Sequence, residues 1–267
     1  MKAATRKLQT LTWYLRRPSL YPELVHELRV EIGRPLGRGR EASAERWCAE
    51  RAIDVAEAVE LLTGSPMEYR VDERFGPELT AARERVRQAR AAHPGAIPPA
   101  GAGHLDVLYW LAERARAQRV IETGVAYGYS SLALLLSLRG RPAARLVSTD
   151  MPLPRTTGAY VGCAVAPELR AQWTLLTGLD RRVLPGALAE LGDIDLCHYD
   201  SDKTYDGRTW AYGLLWDALR PGGWFVSDDI GDNAAFRDFC QRVRIEPVVV
   251  AESTGKHVGV LTKPGGH

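Results

Sequence analysis

Two patterns of apolar positions divide the chain near residue 100. Before it, apolar residues recur at helical spacing and no stretch alternates like a strand. We predict a long helix over Ala42–Leu62 and another over Pro77–Ala92. Glycine and proline crowd His93–Gly103, so we place a domain boundary there. This division gives a helical N-terminal region over residues 1–100 and a second domain over residues 104–267.

After residue 104, short apolar runs alternate with helical patterns, which predicts a parallel sheet covered by helices on both faces. The five predicted parallel strands are Arg119–Thr123, Arg145–Thr149, Trp173–Thr177, Ile194–Tyr199 and Trp224–Ser227. A hairpin is predicted from the last two runs, Val248–Ala251 and Val258–Thr262, so the last strand is antiparallel. The predicted fold class is therefore α/β, with a Rossmann-like seven-stranded sheet.

The first of these strands leads into a turn that predicts a ligand site. Gly124 and Gly128 lie in the turn, and a helix follows from Ser130. Glycine lets the backbone approach a ligand where a Cβ would collide, and a helix N-terminus offers unpaired N–H groups. The turn lacks the G-x-G-x-x-G of a dinucleotide site, and Glu122 suits an ammonium group better than a pyrophosphate. A turn that binds no cofactor is the alternative.

Acidic residues and glycines also follow the next two strands, at the edge where α/β sheets bind ligands. Asp150 ends the second strand, where a carboxylate can accept both hydroxyls of a ribose or simply cap a turn. Gly178 and Asp180 follow the third strand, on the side where an adenine would lie, although Asp180 is equally suited to begin a helix. The stretch Met151–Pro167 is either a lid or a plain irregular segment.

Three aspartates are predicted to meet at the ends of the fourth and fifth strands. Asp200 follows the fourth strand, and Asp228 and Asp229 follow the fifth. Like charges crowded in a cleft raise each other's pKa or recruit a cation, and oxygen ligands suit Mg²⁺, Ca²⁺ or Mn²⁺. Lys203 lies one helical turn after Asp200, and a depressed pKa would make it a base. The alternative for Asp228 and Asp229 is a plain turn.

The turn E-x-G-x-x-x-G-Y-S resembles the first motif of class I S-adenosylmethionine (SAM) methyltransferases, in the form found in catechol and caffeoyl-CoA O-methyltransferases. The segment that begins Asp200-Ser-Asp-Lys203 resembles that of the cation-dependent O-methyltransferases. The resemblance implies that SAM is held by Glu122, Gly124, Gly128, Ser130, Asp150, Gly178 and Asp180. It also implies a divalent cation such as Mg²⁺ bound by three ligands: Asp200, Asp228 and Asp229. In the same family Lys203 would act on the substrate hydroxyl.

The resemblance covers about Leu105–Lys263 and departs from the family in places. Asp229 stands where better-known members commonly have asparagine, and His198 and Tyr199 replace apolar strand residues. The long helical N-terminal region is closer to bacterial metal-dependent sugar O-methyltransferases. We therefore expect cation-assisted methylation of a small-molecule hydroxyl. The alternatives are a metal-independent methyltransferase, a nicotinamide-dependent oxidoreductase that the turn disfavours, and a non-catalytic interaction module that works through residues 1–100.

Composition adds few constraints. The formal net charge of +2 does not call for nucleic acid, and the basic first forty residues suit a solvated helix face more than a membrane surface. The four cysteines form no C-x-x-C pair, and we see no secretory signal or apolar run of transmembrane length, so we expect a cytoplasmic protein. The expected partner is a small-molecule acceptor, with no nucleic acid and no membrane. Apolar stripes in the N-terminal helices leave a homodimer open.

Overall fold

The structure is a computed structural model that describes residues 10–25, 28, 38–92, 104–151, 158, 160–252 and 255–265. The predicted linker at 93–103 lies outside the described residues. The helices are α1 Arg38–Ala49, α2 Val55–Thr63, α3 Val71–Arg74, α4 Gly76–Ala92, α5 Leu105–Arg114, α6 Tyr129–Leu138, α7 Asp180–Leu191, α8 Tyr205–Ala218 and α9 Ala235–Val243. Residues 10–15 and 21–25 are also helical.

A single mixed sheet runs through the described part of the chain. Its eight strands are β1 Ala52–Ile53, β2 Arg119–Thr123, β3 Arg145–Asp150, β4 Trp173–Thr177, β5 Ile194–Tyr199, β6 Leu219–Ser227, β7 Val248–Ala251 and β8 His257–Thr262. The spatial order is β1-β7-β8-β6-β5-β2-β3-β4. Strand β8 is antiparallel to β6 and β7, and the other neighbours are parallel. The predicted α/β class and the antiparallel last strand are confirmed.

The strand order places the binding crevice. The chain leaves β2 for β3 on one side, whereas β5 returns to pair with β2 on its other side. In open α/β sheets, ligands bind beyond the carboxyl ends of the strands at such a reversal. The crevice therefore lies beyond the ends of β2 and β5.

The two sheet faces carry separate cores because side chains alternate along each strand. On one face, Val120, Leu196 and Val226 pack against helices α2 to α6. On the other face, residues such as Ile121 and Phe225 pack against α7, α8 and α9. The N-terminal helices α2 to α4 thus share a core with the sheet, and the division at residue 100 stays a prediction. In the part of the chain that is described, no helix has the length and apolar composition needed to cross a membrane.

The predicted helix over Ala42–Leu62 is wrong, because the chain breaks it into α1, β1 and α2. The expectation of no strand before residue 100 is wrong for the same reason. Ala52 and Ile53 pair in parallel with Val249 and Val250 at the edge of the sheet. Asp54 then begins α2, since its Oδ1 accepts hydrogen bonds from the N–H groups of the next turn. Sheet pairing and this cap together outweigh the helical spacing.

Replacement of Asp54 by alanine is expected to destabilise the fold by about 1 kcal/mol, because two N–H groups of α2 lose their acceptor. Asp54→Asn keeps an acceptor oxygen and should stay close to the wild type. Urea denaturation of both variants measures the difference in unfolding free energy. Equal values for the two variants would show that the cap does not stabilise α2.

Candidate active site

The turn after β2 is held against the end of β5. Gly124 has a φ of +81° and Gly128 a φ of +84°, a region that favours glycine. A Cβ on Gly124 would overlap the backbone oxygen of Asp200. The N–H of Asp200 in turn donates to the carbonyl of Thr123 at 2.8 Å. The close backbone approach predicted at Gly124 is therefore made to Asp200 of the same chain. It brings the ends of β2 and β5 together.

The stretch after β3 packs against the turn after β2 and forms a wall beside it. The N–H groups of Gly162 and Ala164 donate to the carbonyls of Ala126 and Tyr127, at 2.9 and 2.8 Å. Arg85, in α4, donates from Nη2 to the carbonyl of Ala164 at 2.5 Å. Of the stretch predicted as lid or irregular segment, residues 160–166 thus form a fixed wall beside the turn.

Glu122 lies under the turn rather than in the crevice. Its side chain is fully buried, and Oε2 accepts hydrogen bonds from the hydroxyls of Ser131 at 2.5 Å and Ser148 at 2.7 Å. Ser148 also accepts a hydrogen bond from Trp173 Nε1 at 2.9 Å. Buried carboxylates need such partners because their desolvation is costly. Glu122 therefore fixes the start of α6 to the sheet.

His198 extends this row of buried polar side chains to the next strand. It pairs in register with Glu122, and its Nδ1 lies 3.5 Å from Glu122 Oε1. Its Nε2 lies 3.5 Å from Asp228 Oδ2. Burial acts to lower the pKa of His198, but the two carboxylates outweigh it and raise the pKa to about 10. The imidazolium therefore links the turn after β2 to the acidic residues after β6.

Asp150 closes the turn from the side of β3. Its Oδ1 accepts a hydrogen bond from the N–H of Val125 at 3.0 Å. Burial raises the pKa of Asp150 to about 6, the backbone hydrogen bonds oppose the rise, and the charges of Glu122 and Asp180 add to it. When the carboxyl is ionised, both of its oxygens are acceptors, and Oδ2 can accept hydrogen bonds from ligand hydroxyls.

The remaining predicted cofactor residues lie around the same crevice. Ser130 is half-buried in the first turn of α6, and Gly178 donates its N–H to the carbonyl of Asp150 at 2.9 Å. Asp180 begins α7, and its carboxylate accepts hydrogen bonds from the hydroxyls of Thr149 and Ser201. The seven predicted cofactor residues thus flank one crevice, although Glu122 is buried beneath it.

The predicted acid cluster forms, and lysines lie inside it. Lys203 Nζ forms an ion pair with Asp200 and lies 3.0 Å from Asp229 Oδ2. Lys256, just before β8, lies 2.7 Å from Asp229 Oδ1. Asp228 faces His198 instead. The three aspartates therefore gather at one edge, each beside a cationic side chain.

Arg208 holds the loop that carries Asp229. Asp229 has a left-handed backbone conformation with a φ of +53°, which is uncommon outside glycine. Arg208, fully buried in α8, donates from Nη2 to the carbonyl of Asp229 at 2.9 Å and lies 3.5 Å from Asp232 Oδ2. This contact helps to hold both oxygens of Asp229 towards the two lysines.

The pKa of Lys203 in this cluster is shifted in the direction opposite to the one expected from the sequence. Burial acts to lower the pKa of Lys203, but Asp200 and Asp229 outweigh it and raise the pKa. The expectation of a lysine with a depressed pKa is therefore wrong for this arrangement. Burial and the charge of Asp228 raise the pKa of Asp200 to about 6, despite Lys203. Lys203 is an ammonium in this site, and Asp200 is the more basic of its two carboxylate partners.

A divalent cation does not fit the three aspartates as they are placed. Across the residues that the structure describes, no group of three or more His, Cys, Asp or Glu side chains is placed to hold a metal ion. Lys203 already lies between Asp200 and Asp229, where a shared cation would have to bind.

Three residues of the site were missed from the sequence as functional candidates: His198, Arg208 and Lys256. A histidine in the apolar second half of a buried strand was a signal for the first, since buried polar groups need partners. An arginine among the small and aromatic residues of α8 was a weaker signal. Nothing local marks Lys256, which reaches Asp229 only through strand pairing.

Comparison with known proteins agrees with this geometry. Residues 121–230, from within β2 to the turn after Asp229, match a family model described as a methyltransferase domain. This stretch is similar to a methyltransferase domain. It contains the turn after β2 and the acid cluster, and the predicted resemblance to methyltransferases is confirmed. No functionally curated protein matches the chain.

Solved structures with similar folds are O-methyltransferases in several cases. The O-methyltransferase from Bacillus cereus, solved in complex with SAH, is 16% identical, with a TM-score of 0.54 over 72% of this chain and 95% of that one. TomG from Streptomyces achromogenes, in complex with SAM, is 20% identical, with a TM-score of 0.54 over 72% and 96%. Cofactor-bound Rv0187 from MTB is 19% identical, with a TM-score of 0.55 over 71% and 91%. At these identities the likeness shows the fold.

Gly124→Ala is expected to destabilise the protein by at least about 1 kcal/mol, because the new Cβ would overlap Asp200 at an unfavourable φ. Gly140→Ala is the matched control, since nothing lies within 4 Å of its Cβ. Its unfolding free energy should stay within about 0.5 kcal/mol of the wild type. Chemical denaturation compares the two, and equal values would argue against the close contact of β2 and β5.

Proposed function

We propose that the chain transfers a methyl group from SAM to the hydroxyl oxygen of a small molecule. The observation that carries the proposal is the contact between the turn at Gly124 and the backbone of Asp200. It brings a cofactor-type turn and a cluster of proton-transfer groups to adjacent strand ends. Two fold neighbours were solved in complex with SAH or SAM, which supports the same cofactor for this chain.

The predicted cofactor residues take distinct parts in this proposal. The N–H groups at the start of α6, near Ser130, suit the carboxylate of the methionine part of SAM. Asp150 suits the ribose hydroxyls, and Gly178 and Asp180 border the adenine side. Glu122 acts beneath the turn, by holding Ser131 in α6.

The chain supplies alignment and proton transfer for the reaction. A bond forms between the acceptor oxygen and the methyl carbon as the sulfur–carbon bond breaks, which leaves S-adenosylhomocysteine. Asp200 takes the proton of the hydroxyl, and the Lys203 ammonium stabilises the negative charge that develops on the oxygen. Lys203 thus keeps a catalytic role, as an electrostatic donor rather than the base expected from the sequence.

The finer predictions about the reaction remain to be tested. Assistance by a divalent cation, which the resemblance implies for Asp200, Asp228 and Asp229, stays a prediction. The same holds for the absence of nucleic-acid and membrane partners and for a homodimer. A cytoplasmic location is proposed because the four cysteines, all in the described residues, are free thiols.

Titration calorimetry with S-adenosylhomocysteine tests the proposal, first with Mg²⁺ and then with EDTA. Micromolar binding is expected, since the cofactor residues lie together beyond the ends of β2, β3 and β4. With an acceptor found among catechols and sugars, Lys203→Met should lower kcat about 10²-fold or more and leave this affinity unchanged. Absence of binding in both buffers would contradict the proposal and favour the non-catalytic interaction module.

Affinity for S-adenosylhomocysteine is expected to fall as the pH drops through about 6. Asp150 has a pKa of about 6, and its protonated form cannot accept from both ribose hydroxyls. Asp150→Asn should bind more weakly at neutral pH and show little change from about pH 7 to about pH 5. Calorimetry at each pH measures both proteins, and parallel curves would exclude Asp150 as the titrating group.

A further inference from the structure

We propose that Lys256 and Lys203 together take the place of a divalent cation at the acid cluster, so that this methyltransferase works without one. The inference rests on the proposed function, and it assigns Lys256 to the site as a positioning residue. Lys256 acts through Asp229, whereas Lys203 also faces the acceptor oxygen.

The two ammonium groups divide the oxygens of Asp229 between them. Lys256 lies 2.7 Å from Oδ1, and Lys203 lies 3.0 Å from Oδ2. Lys203 also bridges to Asp200. A cation shared by Asp200 and Asp229 would have to occupy the position of the Lys203 ammonium, and Lys256 would repel it from the other side.

Each aspartate of the cluster lies beside a basic side chain of the chain itself. The third carboxylate, Asp228, lies beside His198, whose imidazole is buried between it and Glu122. Asp200 and Asp229 share the charges of the two lysines. Clustered carboxylates recruit a cation when their charges are uncompensated, and here the chain provides the compensation.

Strand pairing explains how a residue distant in sequence enters this site. Strand β8 runs antiparallel to β6, and Gly259 pairs with Ser227. Residues just before β8 therefore lie beside residues just after β6, which places Lys256 next to Asp229. The N–H of Glu252 donates to the carbonyl of Lys256 at 2.8 Å and helps to close the hairpin at this point.

Binding of Mn²⁺, followed by electron paramagnetic resonance, tests the inference without any turnover. The wild type should leave the signal of free Mn²⁺ nearly unchanged up to millimolar concentrations. Lys256→Gln should bind Mn²⁺ at least about tenfold more tightly, because one repelling charge is lost while the carboxylates stay. Lys256→Arg is the matched control and should behave like the wild type, since it keeps the charge. Lys256→Ala is the second variant, and thermal unfolding checks that each protein is folded.

Tight Mn²⁺ binding by the wild type that Asp229→Asn abolishes would overturn the inference. It would equally be overturned if Lys256→Gln and Lys256→Ala bound no more Mn²⁺ than Lys256→Arg. Titration of the same samples with S-adenosylhomocysteine reports on the proposed function separately. If that ligand fails to bind, the proposed function fails, whereas the Mn²⁺ result still decides whether the lysines replace a metal.

Discussion

The buried carboxylate of Glu122 sets the geometry on which the site depends. A carboxylate removed from water costs several kcal/mol unless its oxygens are hydrogen-bonded or paired with charge. Ser131, Ser148 and His198 meet this need from α6, β3 and β5. The partners that this one carboxylate needs therefore fix α6, β3 and β5 around β2. Because His198 also faces Asp228, this row of paired polar side chains extends to the end of β6.

Much of the sheet was predictable because its strands are buried, and buried strands leave continuous runs of apolar residues. Strand β1 was not, since two residues have no periodicity of their own and pair only with the distant β7. A signal for the break was present in Asp54 and Glu57, which have the spacing of a helix-capping pair. The regular apolar spacing through Ala42–Leu62 concealed it.

The candidate site was predictable where topology alone brings residues together. Asp200, Asp228 and Asp229 end neighbouring parallel strands, so their meeting follows from the fold. The charge of Lys203 could not be predicted in the same way, because it depends on Asp229 across the crevice as well as on Asp200 nearby in sequence. Lys256 required the antiparallel register of β8, which no local pattern reveals.

The contact made by Arg85 has a consequence for how the two halves of the chain depend on each other. This side chain belongs to α4, yet it donates to the carbonyls of Cys163 and Ala164 in the wall behind the turn after β2. The wall in turn donates to Ala126 and Tyr127. The N-terminal helices therefore act as a buttress for the ligand crevice, and a shift of α4 would be transmitted through two layers of backbone to the turn itself.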